Sequence, residues 1–379
     1  MRAFRAFFYL PLFLLAACEV TPPAPFRLEP VGFEALSGWA TDTQAEALAA
    51  FRKGCARLAL NPATTDAWRE ACAKANAQPA DDDAKARTFF EANFTPHRVL
   101  GEGSVEGLFT GYYEAELNGA RQRDSRYRIP VYTRPADLVM VNLGRFRDDL
   151  RGEVIAGRVA EGELMPYPTR GEIEAGALEG KGLELLWVDD PVDLFFLHVQ
   201  GSGRVRMKEG GVLYLSYAGK NGHPYRSIGR ALIEENALPR DGASMAKIRA
   251  FLAAHPERMQ EVFAKNPSFV FFKLRESEAP IGSLGAPLTP GRSLAVDVAF
   301  LPLGAPVWLD TKHPIETAKP LRRLVIAQDT GGAIKGPVRG DFFWGAGQEA
   351  ESLAGAMRAT GRYYLLLPKT ATVAGRGGG

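Results

Sequence analysis

The spacing of apolar positions changes as the chain is read from its N-terminus. Over residues 41–98 it is helical: in TDTQAEALAAFRKGCARLAL, Leu48, Phe51, Cys55 and Leu58 share one face behind a Thr/Asp start. Two more helical stretches run from Asp66 to Ala75 and from Asp82 to Asn93, and Pro96 closes this part. From residue 105 the apolar runs shorten. VEGLFTGYYEAEL, RYRIPVYTRP, LELLWVDDP and DLFFLHVQGSG are β-branched or aromatic and end at Gly, Pro or Asp, so strands are expected. RGEIEAGALEG (170–180) predicts a short helix, Ser227–Asn236 another, and MAKIRAFLAAHPERMQEVFAKNP one or two more. Strands return from 268 in SFVFFKLRE, SLAVDVAF, APVWLDT, LRRLVIAQDT, GDFFWG and RYYLLLP. Helices inserted in blocks between strands, without alternating βαβ units, predict a mainly β fold with α+β character or a β-barrel, and not a doubly wound sheet.

The first residues, MRAFRAFFYLPLFLLAAC, follow a different logic. Arg2 and Arg5 precede an apolar run from Ala6 to Ala17 that is too short to cross a bilayer core of about 30 Å. This is signal-peptide anatomy, and Leu15-Ala16-Ala17-Cys18 resembles the bacterial lipobox. Residues 1–17 are therefore expected to be a lipoprotein signal peptide, with Cys18 acylated. Residues 18–35, containing Thr21-Pro22-Pro23-Ala24-Pro25, would be a tether. Glu19 in place of Asp favours the outer membrane by resemblance to the Gram-negative sorting rule. Cys55 and Cys72 would then lie in an oxidising compartment, where a disulfide is expected and two buried thiols are the alternative. Residues 371–379 are expected to be a disordered tail.

Composition excludes several roles. The 379 residues carry 46 Lys plus Arg against 44 Asp plus Glu, so no strong basic field invites nucleic acid. There is no GxxxxGK[ST], no HExxH and no GxSxG. The five histidines are scattered, so neither a metal nor a cofactor is expected. The unusual segment is AQDTGGAIKGPVRGDFFWG (327–345). A strand runs into Asp329, then two glycines, Lys335, a loop, Asp341 and three aromatics. Aromatics can shield a carboxyl from water, raise its pKa and stack on sugar rings, which suits protonation of a glycosidic oxygen. A tight barrel turn with capping aspartates fits the same residues.

That segment resembles the signature of the membrane-bound lytic murein transglycosylase A family, whose C-terminal part is a three-aspartate domain. The three aspartates match here as Asp297 in SLAVDVAFLPLGAPVWLD, Asp329 in AQDTGGAIKG and Asp341 in RGDFFWG. GLFTGYYEAEL (107–117), LFFLHVQGSGRV (194–205), LSYAGKNGHPYRSIG (215–229) and NPSFVFFK (266–273) match other family stretches, so the resemblance spans roughly 105–367.

The resemblance implies a double-psi β-barrel domain from 36–110 and 267–370, a smaller β-rich domain, 111–266, inserted into it, and a glycan-binding groove between them. It also implies cleavage of the β-1,4 bond between N-acetylmuramic acid and N-acetylglucosamine without water, giving 1,6-anhydro ends. Asp341 would be the single acid/base, Asp329 would polarise or orient the site, and Asp297 would support it. Thr110, Tyr112, Gln200, Ser202, Lys220, Asn221 and Lys335 would bind the glycan. The loop from Lys335 to Asp341 is one residue longer than the shortest family version, which leaves Asp329 as the rival acid. A monomer bound to peptidoglycan glycan strands, anchored by lipid to the outer membrane and facing the periplasm, is expected, with other wall-remodelling proteins as candidate partners. A glycoside hydrolase on the same barrel and a non-catalytic wall-binding lipoprotein are the competing readings.

Overall fold

The computed structural model describes residues 26–369 except 62, 63, 80, 102, 151, 152 and 240–242. The signal peptide, Cys18, the first part of the tether and the 371–379 tail lie outside the described residues. Strand β1 (Arg27–Pro30) precedes helices α1 (Gln44–Leu60), α2 (Asp66–Asn76) and α3 (Asp83–Asn93), as the helical spacing predicts. Then come β2 (Phe94–Leu100), β3 (Gly107–Ala120), β4 (Ile129–Tyr132), β5 (Val139–Asn142), β6 (Val154–Ala160) and β7 (Glu163–Pro166). Next are α4 (Arg170–Glu172), β8 (Glu184–Val188), α5 (Pro191–Gln200), β9 (Ser202–Met207) and β10 (Val212–Lys220). Helices α6 (Ile228–Glu234), α7 (Met245–Ala254) and α8 (Met259–Ala264) lead into β11 (Val270–Arg275), β12 (Ser293–Val296), β13 (Pro306–Lys312) and β14 (Pro320–Asp329). The chain ends on β15 (Arg339–Ala346), α9 (Gln348–Ala356) and β16 (Arg358–Pro368).

Six strands close into a ring. The order is β16-β13-β14-β12-β15-β3, and β3 pairs back onto β16. Two of these pairings, β12–β14 and β15–β3, are parallel. The ring's interior is filled from every strand, by residues such as Phe109, Leu294, Val307, Val325, Phe342 and Leu365. Helices α1–α3 cover one outer side, where Phe51 and Phe90 pack with Phe94 of β2 and with Trp308, Ile326 and Leu366. Buried Arg292 ties this cover to the ring: it donates to Asp42 (2.8 Å), Glu46 (3.0 Å) and the carbonyls of Thr43 and Leu324. Cys55 of α1 and Cys72 of α2 are joined by a disulfide with Cα atoms 5.4 Å apart.

Strand β3 is long enough to serve two sheets. Its first half lies in the ring; residues 115–119 pair in parallel with β9, and 119–120 with β8. β4, β8, β3, β9, β10 and β11 form this second layer, and a bridge from Thr133 to Phe272 brings β11 back beside β4. Where β3 passes from one layer to the other, Glu114 is fully buried and paired with Arg204 (2.6 Å) on β9 and with Arg275 on β11. A buried carboxylate is tolerable only with such partners.

The strand expected for DLFFLHVQGSG is in part a helix. Asp190 caps it by accepting from the N–H groups of Val192 (2.7 Å) and Asp193 (3.0 Å), Pro191 sits at its first position, and Gly201 stops it at φ 77°. Those start and stop signals outweigh the apolar run between them. Only the run's end, from Ser202, is strand. The β5–β7 sheet and α9 had no sequence expectation.

Replacing Glu114 by Ala strands two arginines and should cost about 3–5 kcal/mol in urea unfolding; a loss below about 1 kcal/mol would mean the triad does not hold the layers together. Reducing the disulfide, or making Cys55→Ser/Cys72→Ser, should cost about 2–4 kcal/mol, and an unchanged melting temperature would contradict that.

Candidate active site

The ring's registers place five residues in one row: Asp329 on β14, Ala295 on β12, Asp341 on β15, Thr110 on β3 and Arg358 on β16. Paired residues share a face, so the row lies on one side of the sheet. It is the outer side. On β15, Phe342 points into the ring, whereas its neighbours in the chain, Asp341 and Phe343, point outward. Tyr112, Leu288, Ala295, Ile334 and Phe343 form an apolar floor there, with Tyr112 and Phe343 rings 5.0 Å apart.

A bulge aims Asp329 into this row. Leu294 pairs with Ala327, but Ala295 pairs with Asp329, so Gln328 is the extra residue. Gln328 turns the other way and is buried, accepting from Ser293 Oγ (2.5 Å) and donating to the Ala50 carbonyl (3.1 Å) on α1. The two carboxylates are two strands apart, about 9–10 Å between backbones at ordinary strand spacing, and Ala295 between them offers only a methyl group.

Their environments differ. Asp329 is saturated with donors: Oδ1 accepts from Ser283 N, Ser283 Oγ and Thr330 N, each at 2.9 Å, and Oδ2 from the Tyr112 hydroxyl at 3.1 Å. Burial raises its pKa and these donors pull it back down. The hydroxyl of Tyr112 stays protonated because burial and the two aspartate charges push its pKa well up. Asp341 has one side-chain partner among the described residues: Thr110 Oγ1 donates to its Oδ1 at 2.5 Å. Burial raises its pKa to about 6, helped by the Asp329 charge and opposed by Thr110 and Arg339. Oδ2 remains uncommitted.

Asp297 is buried and binds backbone: Oδ1 accepts from Ala299 N (3.1 Å) and Oδ2 from Gly336 N (2.8 Å). It anchors the 330–338 loop, where Gly336 adopts φ 113°. Lys335 is exposed on that loop. Gln200, at the end of α5, accepts from Tyr113 N at 3.1 Å and so adjoins β3 just where it leaves the ring. Ser202 and Lys220 lie on β9 and β10, half-buried. Asn221 is buried, its amide donating to the Pro168 (2.9 Å) and Pro267 (2.8 Å) carbonyls and accepting from Phe269 N (2.9 Å). Thr110, Tyr112, Asp329 and Asp341 are thus brought together, Gln200 adjoins them, and Asn221 is committed to holding its own loop.

Three neighbours escaped the sequence reading. Arg339 donates to Thr110 Oγ1 at 2.8 Å; its place two residues before Asp341 on one strand was the available signal. Ser283 comes from a loop without a motif. Tyr225, partly exposed after β10, lies near enough for the Asp341 charge to add to burial in raising its pKa.

Comparison with known proteins gives the family. Residues 108–273 match the MltA specific insert domain, and residues 292–367 match the 3D domain. The membrane-bound lytic murein transglycosylase A of Vibrio cholerae is 36% identical over 276 residues, covering 70% of this chain and 67% of that protein. A crystal structure of MltA from Neisseria gonorrhoeae superposes with a TM-score of 0.79 at 39% identity, covering 92% of this chain and 94% of that one. The structure of E. coli MltA with bound chitohexaose gives 0.67 at 28% identity, covering 91% and 95%. The chain belongs to the membrane-bound lytic murein transglycosylase A family.

Proposed function

We propose that this enzyme is a lytic murein transglycosylase that cleaves the β-1,4 bond between N-acetylmuramic acid and N-acetylglucosamine, with Asp341 as its acid and base. The observation that carries the reading is the asymmetry of the two carboxyls. Asp341 keeps one oxygen uncommitted and has its pKa raised to about 6, whereas both oxygens of Asp329 are occupied. In the first step Asp341 gives its proton to the glycosidic oxygen and the C1–O bond breaks. In the second, O6 of the same muramic acid bonds to C1 and returns its proton to the Asp341 carboxylate. No water enters, and the tethered nucleophile gains the entropic advantage of an intramolecular reaction.

Asp329, fixed by four donors, orients Tyr112 and keeps a negative charge near Asp341; Asp297 supports the loop. The groove would lie between 36–110 with 267–370 on one side and 111–266 on the other, the boundary falling within β3. Chitohexaose bound to the E. coli relative supports a β-1,4-linked glycan as ligand. Tyr112, Gln200, Ser202, Lys220 and Lys335 are the proposed contacts; Thr110, expected from the resemblance to bind glycan, has its hydroxyl committed to Asp341 and Arg339, and Asn221 would shape the groove through its loop. No helix among the described residues is long and apolar enough to cross a membrane. The lipobox-like Leu15-Ala16-Ala17-Cys18 favours an acylated Cys18 as the source of the membrane association named for the relatives, with the enzyme facing the periplasm from the outer membrane.

Digestion of murein sacculi by protein lacking residues 1–18 should release muropeptides lighter by one water than hydrolytic products. Asp341→Asn should lower the rate by about 10²–10⁴. Full-mass reducing ends would make the enzyme a hydrolase, and sacculus binding without soluble products a wall-binding lipoprotein. The raised pKa has a second consequence. The folded state holds a proton on Asp341 between the ordinary carboxyl range and about pH 6, so stability falls as pH rises through that window. Asp341→Asn should therefore melt higher than the parent at pH 8 and lose that advantage below pH 4; equal melting temperatures at pH 8 would contradict the burial of Asp341.

A further inference from the structure

Arg339 and Asp341 sit two residues apart on β15 and face the same way, with Thr110 of β3 paired opposite Asp341. Arg339 Nη2 donates to Thr110 Oγ1 at 2.8 Å, and Thr110 Oγ1 lies 2.5 Å from Asp341 Oδ1. The guanidinium is held by two more bonds, from Nη1 to the carbonyls of Leu108 (3.2 Å) and Gly340 (2.5 Å). A guanidinium only donates, and a threonine hydroxyl has a single proton. Thr110 must therefore accept from Arg339, and among the described residues Asp341 Oδ1 is the one acceptor in reach of its own proton. The 2.5 Å separation is that of a hydroxyl bonded to a carboxylate oxygen.

We propose that Arg339 is a positioning residue that acts through Thr110: it turns the threonine hydroxyl onto Oδ1 of Asp341 and so confines the catalytic proton to Oδ2. The inference rests on the reading of Asp341 as acid and base. One oxygen then serves both steps. The proton leaves Oδ2 for the glycosidic oxygen, and the proton from O6 of muramic acid returns to Oδ2. Between the steps, the negative charge on Oδ1 is met by the Thr110 hydroxyl. Without the relay the proton could occupy either oxygen, and a carboxyl protonated on Oδ1 would turn its acid toward Thr110, away from the scissile bond.

The groups that act on Asp341 come from several elements. Asp329 of β14 raises its pKa, and Thr110 of β3 and Arg339 of its own strand lower it. Tyr112 of β3 and Tyr225 of the loop after β10 lie within reach of its charge, which adds to burial in keeping both phenols neutral. Arg358 of β16 acts on Arg339, disfavouring its charge. Breaking the relay removes a donor and loosens a cation, and both losses raise the pKa. The alkaline limb of activity, where Asp341 loses its proton, should then move to higher pH.

The test is kcat and KM against pH on soluble uncrosslinked glycan strands, with thermal melts to confirm folding. Thr110→Val should lose on the order of ten- to a hundredfold in kcat with little change in KM, and its alkaline limb should rise by about one pH unit. Thr110→Ser should restore both. Arg339→Met should shift the limb the same way, and Arg339→Gln, still a donor but uncharged, should keep more of kcat than Arg339→Met. If Arg339→Met does not fold, the Thr110 pair decides. A folded Thr110→Val with parental kcat and an unmoved limb overturns the relay. Should Asp341→Asn be inactive while Thr110→Val is unaffected, only this proposal fails; should Asp341→Asn remain active, the reading of Asp341 fails with it.

Discussion

Closing six strands into a ring gives every strand two hydrogen-bonded neighbours and leaves none free to slide. A slip of one residue would send a whole strand's side chains to the wrong face. The packed interior, from Phe109 and Leu294 to Phe342 and Leu365, penalises any such slip. Register is therefore the constraint on which the site depends. It sets Asp329, Ala295, Asp341, Thr110 and Arg358 in one row although they are scattered over residues 110–358. The bulge at Gln328 is the one departure from regular pairing in that row, and it is stabilised from beneath by Ser293 and the Ala50 carbonyl.

Given the row, local environment divides the labour. Both aspartates are pushed toward their neutral forms by burial on an apolar floor. What separates them is the number of donors each receives. Asp329 receives four and is fixed, whereas Asp341 receives one and keeps an oxygen to work with. Carboxyls of one chemical type acquire different roles through their surroundings. The third aspartate, Asp297, spends its carboxylate on backbone N–H groups, one of them at Gly336 in the loop between the other two.

Much of this was legible in the sequence because the signals were local. The helices at 44–93 followed from apolar spacing, and the segment around Asp329 and Asp341 stood out by its glycines, aspartates and aromatics. Helix α5 was misread because hydrophobicity was weighed above Asp190, Pro191 and Gly201, which together define its ends. Arg339 was missed for a different reason: its role depends on Thr110, more than two hundred residues away, and no local pattern encodes a cross-strand bond. Ser283 reaches Asp329 only through the folded loop. Asn221 matched a family motif, yet only the structure reveals that its amide bonds the backbone of two distant segments, at Pro168 and at Pro267 and Phe269.

The account turns on one carboxyl that is protonated where ordinary aspartates are not. A carbon-13 NMR titration of the side-chain carboxyl of Asp341, assigned by comparison with Asp341→Asn, measures this directly. The structure predicts a midpoint near pH 6. A midpoint at or below about pH 4, the range of an ordinary aspartate, would contradict Asp341 as the acid and remove the basis for the mechanism.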